Sequence, residues 1–368
     1  MKIKARNITT IFITAALVLS LSIAGLLLPD KEISGSERRK LKQLPSLNWN
    51  TLLSGSFMKN FEDYSLDQFP GRDSFRRLKA FCRFNIFGQK DNNGIYIENG
   101  YAAKLEYPLN EDSLNKALGK LRYLYEKYFE GTDANIYAAV VPDKGYFLAD
   151  KNGYPTMDYN KLFSVFSQRL DFANVIDLTK VLDIEDYYKT DTHWRQEKII
   201  EAARLITEKM GSSAGFSGKY TIEKAPITFY GVYYGQSALP LKGEELYYLR
   251  NDTIDGCTVY NYETDAVKGI YDMDKLKGKD PYEMFLSGSA ALLKITNPTA
   301  ATNKTLTVFR DSFASSLVPL LAECYSEITL VDIRYVASDY IEKVCELKSD
   351  DVLFLYSTLI LNDSYTLK

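Results

Sequence analysis

The chain of 368 residues contains a single histidine. One imidazole cannot build a multi-histidine metal site, and any imidazole chemistry must run through His193 alone. Cysteine is scarce too. Cys82, Cys257, Cys324 and Cys345 lie far apart, with no Cys-x-x-Cys pair. That excludes a cysteine-ligated zinc ribbon and a dense disulfide scaffold. Cys324 and Cys345 fall on neighbouring predicted helices and read either as a pair or as buried thiols. Charge of one sign is not in excess: Lys+Arg 45 stand against Asp+Glu 48, for a net charge of -3. The basic face of a nucleic-acid binder is therefore missing. No nucleic-acid partner, metal or cofactor is expected.

Long apolar runs are absent with one exception. Residues 8–28 are uncharged and mostly apolar, and about 21 residues suffice to cross a bilayer as a helix. Lys2, Lys4 and Arg6 precede the run. It exceeds the roughly 7–15 residues of a signal-peptide core, and its small-x-small triplet, Ser22-Ile23-Ala24, lies inside the run. We read an anchor over residues 1–28 in preference to a cleaved signal. Lys31, Arg38, Arg39, Lys40 and Lys42 follow the span and oppose a strict positive-inside count. A short tail before a long domain still exports the domain. The body is thus expected outside the cytoplasm, attached to the membrane by this single helix.

Beyond a polar tether at 29–60, residues 61–368 read as one α/β body. Residues 74–88 carry apolar side chains at helical spacing, and Asn99-Gly100 marks a hairpin turn within 94–105. Helices are predicted over 113–130, 159–170 and 196–210, with short strands at 135–141 and 175–178. Residues 212–304 are rich in Tyr, Thr, Val and Gly and read as a β-rich insertion. Strand, helix, strand, helix, strand then follow at 305–310, 313–325, 327–333, 336–347 and 351–356. That alternation predicts a three-layer fold, a parallel sheet with helices on both faces.

Chemistry gathers at two places. In Asp191-Thr192-His193-Trp194, a carboxylate two residues from the imidazole can accept its N–H and fix its tautomer. The alternative is that Asp191 caps the following helix. In Phe309-Arg310-Asp311-Ser312-Phe313, a serine stands at the carboxyl edge of a predicted parallel strand, where open α/β sheets place ligands. Its N–H, at a helix start, can face a developing oxyanion. The alternative is again a helix cap. Together the two segments fit acyl transfer by an activated serine. Lys144, after a strand's carboxyl end, could face the same crevice or be a solvated loop residue. Trp194 could stack on a sugar or pack beside the site. The aromatic run at 229–234 could form a platform or a half-buried strand.

These residues resemble the DHHW proteins within the alginate O-acetyltransferase superfamily, whose domain is SGNH-hydrolase-like. Ser36-Glu37-Arg38-Arg39-Lys40-Leu41, Asp67-Gln68-Phe69-Pro70-Gly71-Arg72, Val141-Pro142-Asp143-Lys144 and the block from Pro281 to Gly288 resemble further segments of that group, in the same order. The resemblance implies a flavodoxin-like three-layer sheet with circularly permuted motif order. It implies Asp191 as orienter, His193 as general base and Ser312 as nucleophile. Thr192 stands where the group name places its first histidine. Ser287-Gly288 replaces a Gly-Gly pair, which bears on an oxyanion role for Gly288. The implied function is a membrane-anchored O-acetyltransferase acting on a cell-surface polysaccharide, with a multi-span membrane O-acyltransferase as partner. An acetylesterase, or a non-catalytic polysaccharide-binding or assembly protein, are the alternatives.

Overall fold

The computed structural model describes residues 2–368. Lys2–Leu27 is one helix, and Arg6–Leu27 within it is long and apolar enough to cross a membrane, with mean hydropathy 2.3. The chain divides into two compact units. One runs to Asn93 and takes in Tyr234–Pro240; the other is Gly94–Tyr233 with Leu241–Lys368.

In the first unit, helices span Trp49–Leu53, Ser56–Asp67 and Arg72–Phe81, continued by a π-turn at Cys82–Ile86. Asp67 is buried and grips Arg39 through both carboxylate oxygens, at 2.5 and 2.8 Å. The Arg39 guanidinium holds this carboxyl down to about 2. Two of the motif segments, from Ser36 and from Asp67, therefore meet each other.

The second unit is built on a sheet of eight strands: β1 (Asn135–Val141), β2 (Asn174–Ile176), β3 (Thr258–Asn261), β4 (Ala266–Lys268), β5 (Leu292–Thr296), β6 (Thr305–Arg310), β7 (Glu327–Val331) and β8 (Asp351–Ser357). Their spatial order is β4-β3-β5-β7-β6-β8-β1-β2. The five strands from β7 to β2 are mutually parallel; β5, β3 and β4 extend that sheet antiparallel. The β-rich insertion is thus largely an edge of the main sheet. Its remaining strands, Thr221–Phe229 and Glu244–Arg250, pair separately.

Alternation along the buried strands supplies two cores. Ile136, Ala138 and Val140 of β1, with Val352, Phe354 and Tyr356 of β8, face one side. Helices α1 (Glu111–Tyr128) and α2 (Tyr159–Arg169) cover it through Leu114, Leu118, Leu121, Leu162 and Phe166. Tyr137, Ala139, Val141, Leu353 and Leu355 face the other side, under α3 (Ile200–Lys209) and α4 (Ala314–Leu321). The predicted three-layer α/β class is therefore what the chain adopts. Asn110 caps α1 by accepting the Ser113 N–H, and Gly211 at φ 64° ends the turn after α3. The Asn99-Gly100 hairpin forms with both residues at positive φ, 51° and 81°.

One expected helix is not there. Residues 336–347 form successive turns, with a single 3-10 turn at Ile341–Lys343. Val336, Ile341 and Cys345 still reach the core, but Ser338 donates its hydroxyl to the Lys368 carbonyl at 2.5 Å. Local and long-range bonds of this kind compete with a helical ladder. Cys324 lies in one core and Cys345 in the other, on opposite faces of the sheet, so the two thiols are unpaired.

Candidate functional site

Chain crossovers diverge at β6. The chain leaves it for β7 on one side and returns to β8 on the other, which makes its carboxyl end a topological switch point. Asp311 shapes the exit. Its Oδ2 accepts the Ser357 N–H at the end of β8, at 2.8 Å, and its Oδ1 accepts the Phe313 N–H at 3.0 Å. One carboxylate thus ties two neighbouring strand ends and starts the turn into α4. Ser312 is carried on that turn, partly exposed. The N–H groups of Phe313, Ala314 and Ser315 are all engaged within it, whereas that of Ser312 is not among the turn's hydrogen bonds. Ser312 does not cap α4, whose cap position is Phe313 without a side-chain bond.

A second turn meets the first. The Glu244 carboxylate accepts the N–H groups of Lys189 and Thr190 and the Thr190 hydroxyl, each at 2.7 Å. Asp191, 1% exposed, turns Oδ1 to the His193 N–H at 3.1 Å and to its Nδ1 at 2.6 Å. Its Oδ2 accepts the Val232 N–H at 2.8 Å. Asp191 therefore does not cap the following helix; both its oxygens serve the site. With Nδ1 donating to Asp191, His193 presents Nε2 to the Ser312 hydroxyl at 2.8 Å. Asp191, His193 and Ser312, read as candidates from separate segments, form one continuous hydrogen-bonded line.

Aromatic rings hold the imidazole. Tyr282 stacks on His193 at 3.9 Å with 6° between planes, and Phe313 tilts against it at 5.1 Å. Burial pushes the Tyr282 phenol well above its usual range, so it stays neutral against the ring. Its hydroxyl shares a bond with Ser316 Oγ at 2.8 Å. Trp194 is fully buried and donates its indole N–H to the Phe313 carbonyl at 3.0 Å and to Ser316 Oγ at 2.9 Å. It pins the His193 turn to α4, and its face is not free to stack on a sugar.

Two other sequence candidates differ from expectation. Lys144 is neither in open crevice nor solvated: it is 2% exposed, and its ammonium donates to the carbonyls of Tyr188 at 2.9 Å and Lys189 at 3.3 Å. Burial pushes it down to about 7, against the pull of Asp191, Glu244 and Asp143. Gly288 directs its N–H to the Phe285 carbonyl at 3.2 Å, closing a turn, so that amide is spoken for. The left-handed backbone at this Ser-Gly pair persists, with Ser287 at φ 60° and Gly288 at 86°. Ser287 Oγ bonds Asp272 at 2.9 Å. In the aromatic run, Phe229 and Tyr233 are buried and only Tyr230 is well exposed.

Tyr282 and Glu244 escaped the sequence reading because their partners lie far along the chain. The Tyr282 position within the Pro281–Gly288 motif was the only signal. Among the described residues no group of three or more His, Cys, Asp or Glu side chains could hold a metal.

The DHHW protein family model matches residues 163–331, a stretch containing Asp191, His193 and Ser312. A DHHW family protein from Eubacterium siraeum superposes with TM-score 0.60 at 22% identity, covering 74% of this chain and 93% of that one. PatB1 of Bacillus cereus superposes with TM-score 0.58 at 19% identity, over 73% of this chain and 96% of its own. Its structure with a sulfonyl adduct gives 0.56 at 19% identity, over 73% and 95%. At these identities the likeness is one of fold. The resemblance to DHHW proteins drawn from the motifs is borne out by the family match. No curated protein matches the sequence.

Proposed function

We propose that this chain is a membrane-anchored serine acyltransferase working outside the cytoplasm, and that it moves an acetyl group to a hydroxyl of a cell-surface polysaccharide. The observation that carries the reading is the unbroken line from Asp191 Oδ1 through His193 to Ser312 Oγ, at 2.6 and 2.8 Å. In the first half-reaction Ser312 Oγ attacks the acyl carbonyl while His193 Nε2 takes its proton. Asp191 stabilises the imidazolium. The tetrahedral oxyanion faces the Ser312 N–H. Collapse breaks the donor's bond, and His193 returns the proton to the leaving group, leaving acyl-Ser312. In the second half-reaction His193 deprotonates the acceptor hydroxyl, which attacks the acyl-serine, and the proton ends on Ser312. A multi-span membrane O-acyltransferase as the source of acyl groups rests on the resemblance to DHHW proteins.

The test is transfer of labelled acetyl from an activated ester by the full chain in detergent, with and without polysaccharide acceptor. Ser312→Ala and His193→Ala are each expected to lower transfer by roughly 10³-fold or more. A variant that keeps wild-type turnover overturns the mechanism. If water accepts the acyl group as readily with acceptor present, the protein is an esterase on the same site. A sulfonyl fluoride is expected to add one sulfonyl group at Ser312 in the wild type and none in Ser312→Ala.

A further inference from the structure

The first unit carries a surface that a freely soluble protein would not. Fourteen large apolar side chains stand exposed between residues 44 and 87, against ten over 94–368, six of those being tyrosines. Trp49 is 77% exposed, and Leu53, Leu66, Leu78, Ile86 and Phe87 are each more than half exposed. Apolar exposure on this scale marks an interaction surface. Helix Arg72–Phe81 shows the arrangement most sharply. Phe75, Leu78 and Phe81 face out, while Ala80 is fully buried and Arg76 turns inward to the Gly235 carbonyl at 2.7 Å. That is an inverted amphipathic helix, with its apolar stripe on the solvent side.

The same helices are fastened to the end of the span. Tyr64 donates its hydroxyl to Asp30 at 3.0 Å, and the Lys31 N–H donates to Gln68 at 3.0 Å. Gln68 in turn donates to the carbonyls of Lys31 and Lys42, both at 2.9 Å. Pro70 lies over Gly25, within the span, where a Cβ would meet its ring in ordinary van der Waals contact at 3.7 Å. The C-terminal end of helix Ser56–Asp67 is thus fastened beside the point where the span ends. Residues 29–93 also hold twelve Lys and Arg against eight Asp and Glu, in a chain whose net charge is -3. Apolar side chains among cationic ones suit the boundary of a bilayer with anionic headgroups.

We infer that helices Trp49–Leu53, Ser56–Asp67 and Arg72–Phe81 lie in the headgroup boundary of the leaflet where the anchor emerges, with Trp49, Leu78 and their neighbours in lipid. The inference rests on reading Arg6–Leu27 as a retained anchor, and intact mass of the membrane-extracted chain checks that reading separately. The two tryptophans make the test direct, because Trp49 is exposed and Trp194 is buried. The full chain is reconstituted in vesicles of phosphatidylcholine and phosphatidylglycerol, with or without acyl chains dibrominated near the headgroup. Trp49 emission is expected to fall roughly two-fold on bromination, and the remaining emission of Trp49→Phe to stay unchanged. Leu78→Trp placed in the Trp49→Phe background is expected to restore the quenching. Emission from Trp49 and from Leu78→Trp that ignores the bromines overturns the inference. So does crosslinking of Leu78→Cys to a second copy in those vesicles, which makes the patch an interface between chains.

Discussion

Lys144 shows how one buried cation can serve a site it does not touch. Its ammonium binds the carbonyls of Tyr188 and Lys189, just ahead of the Thr190–Asp191 turn, and lies 4.9 Å over the Tyr233 ring. Folding lowers its proton affinity from the usual lysine range to about 7, because desolvation outweighs the nearby carboxylates. Between pH 7 and about 10 the unfolded chain then binds a proton that the folded chain lacks. Stability from this group therefore rises with pH across that window, by at most about 1.4 kcal/mol per unit. Lys144→Met is expected to flatten that slope relative to wild type, read as denaturant midpoints at several pH values. Tyr282 serves differently, through its ring. Tyr282→Phe keeps the stack on His193 and loses the Ser316 bond, an expected cost of about 1 kcal/mol with acyl transfer retained. Tyr282→Ala frees the imidazole and is expected to lower acyl transfer roughly ten-fold beyond any loss of folded protein. Steady-state rates on protein of verified fold separate the two variants.

Turns, more than helices or strands, carry this site. The segment Thr190–Trp194 has no regular ladder of its own, so side chains from other segments hold it. Glu244 takes two of its donors and the N–H of Lys189 just before it, and the backbone at Gly231 and Val232 closes over it. Gly231 is required by space: a Cβ there would sit 2.3 Å from the Asp191 Cα and from the Thr190 carbonyl oxygen. Gly231→Ala is expected to destabilise the fold by about 3 kcal/mol, or to displace Asp191 and lower acyl transfer. Chemical denaturation and steady-state rates read these two outcomes. Neither clamp was legible in the sequence, because Glu244 lies 54 positions beyond Thr190 and nothing local announces the contact. The Asp191-x-His193 bond was legible because both partners sit on one turn. Residues 336–347 failed the other way. Their apolar spacing passes for a helix, but Ser338 and the Lys368 segment draw the backbone into turns.

At the scale of the whole molecule, the parallel sheet is the organising device. Three strand ends converge at the switch point, and each contributes a polar turn: Ser312 after β6, Ser357-Thr358 at β8 and Asp143-Lys144 after β1. Asp143 knots the last two, accepting from Tyr159 and Thr358, both at 2.7 Å. The sheet also separates the thiols, since its thickness stands between Cys324 and Cys345. Denatured protein is expected to titrate four free thiols, as the four unpaired cysteines require. Thermal unfolding is expected to be the same with and without reductant; a drop on reduction would reveal a bond.

The sequence by itself determined that only His193 can act as an imidazole base, that one segment is apolar enough to span a bilayer, and that strands and helices alternate. Those are properties of composition and of short-range periodicity, and neighbouring residues suffice to specify them. Only the tertiary structure decided that Ser312, 119 positions from His193, lies 2.8 Å from its ring. It also decided that Trp194 and Lys144 are buried beneath the site instead of lining it, and that the apolar side chains after the anchor face outward. Each depends on which faces of the sheet and helices the chain buries together. Packing settles that across long separations, where local propensity has no influence.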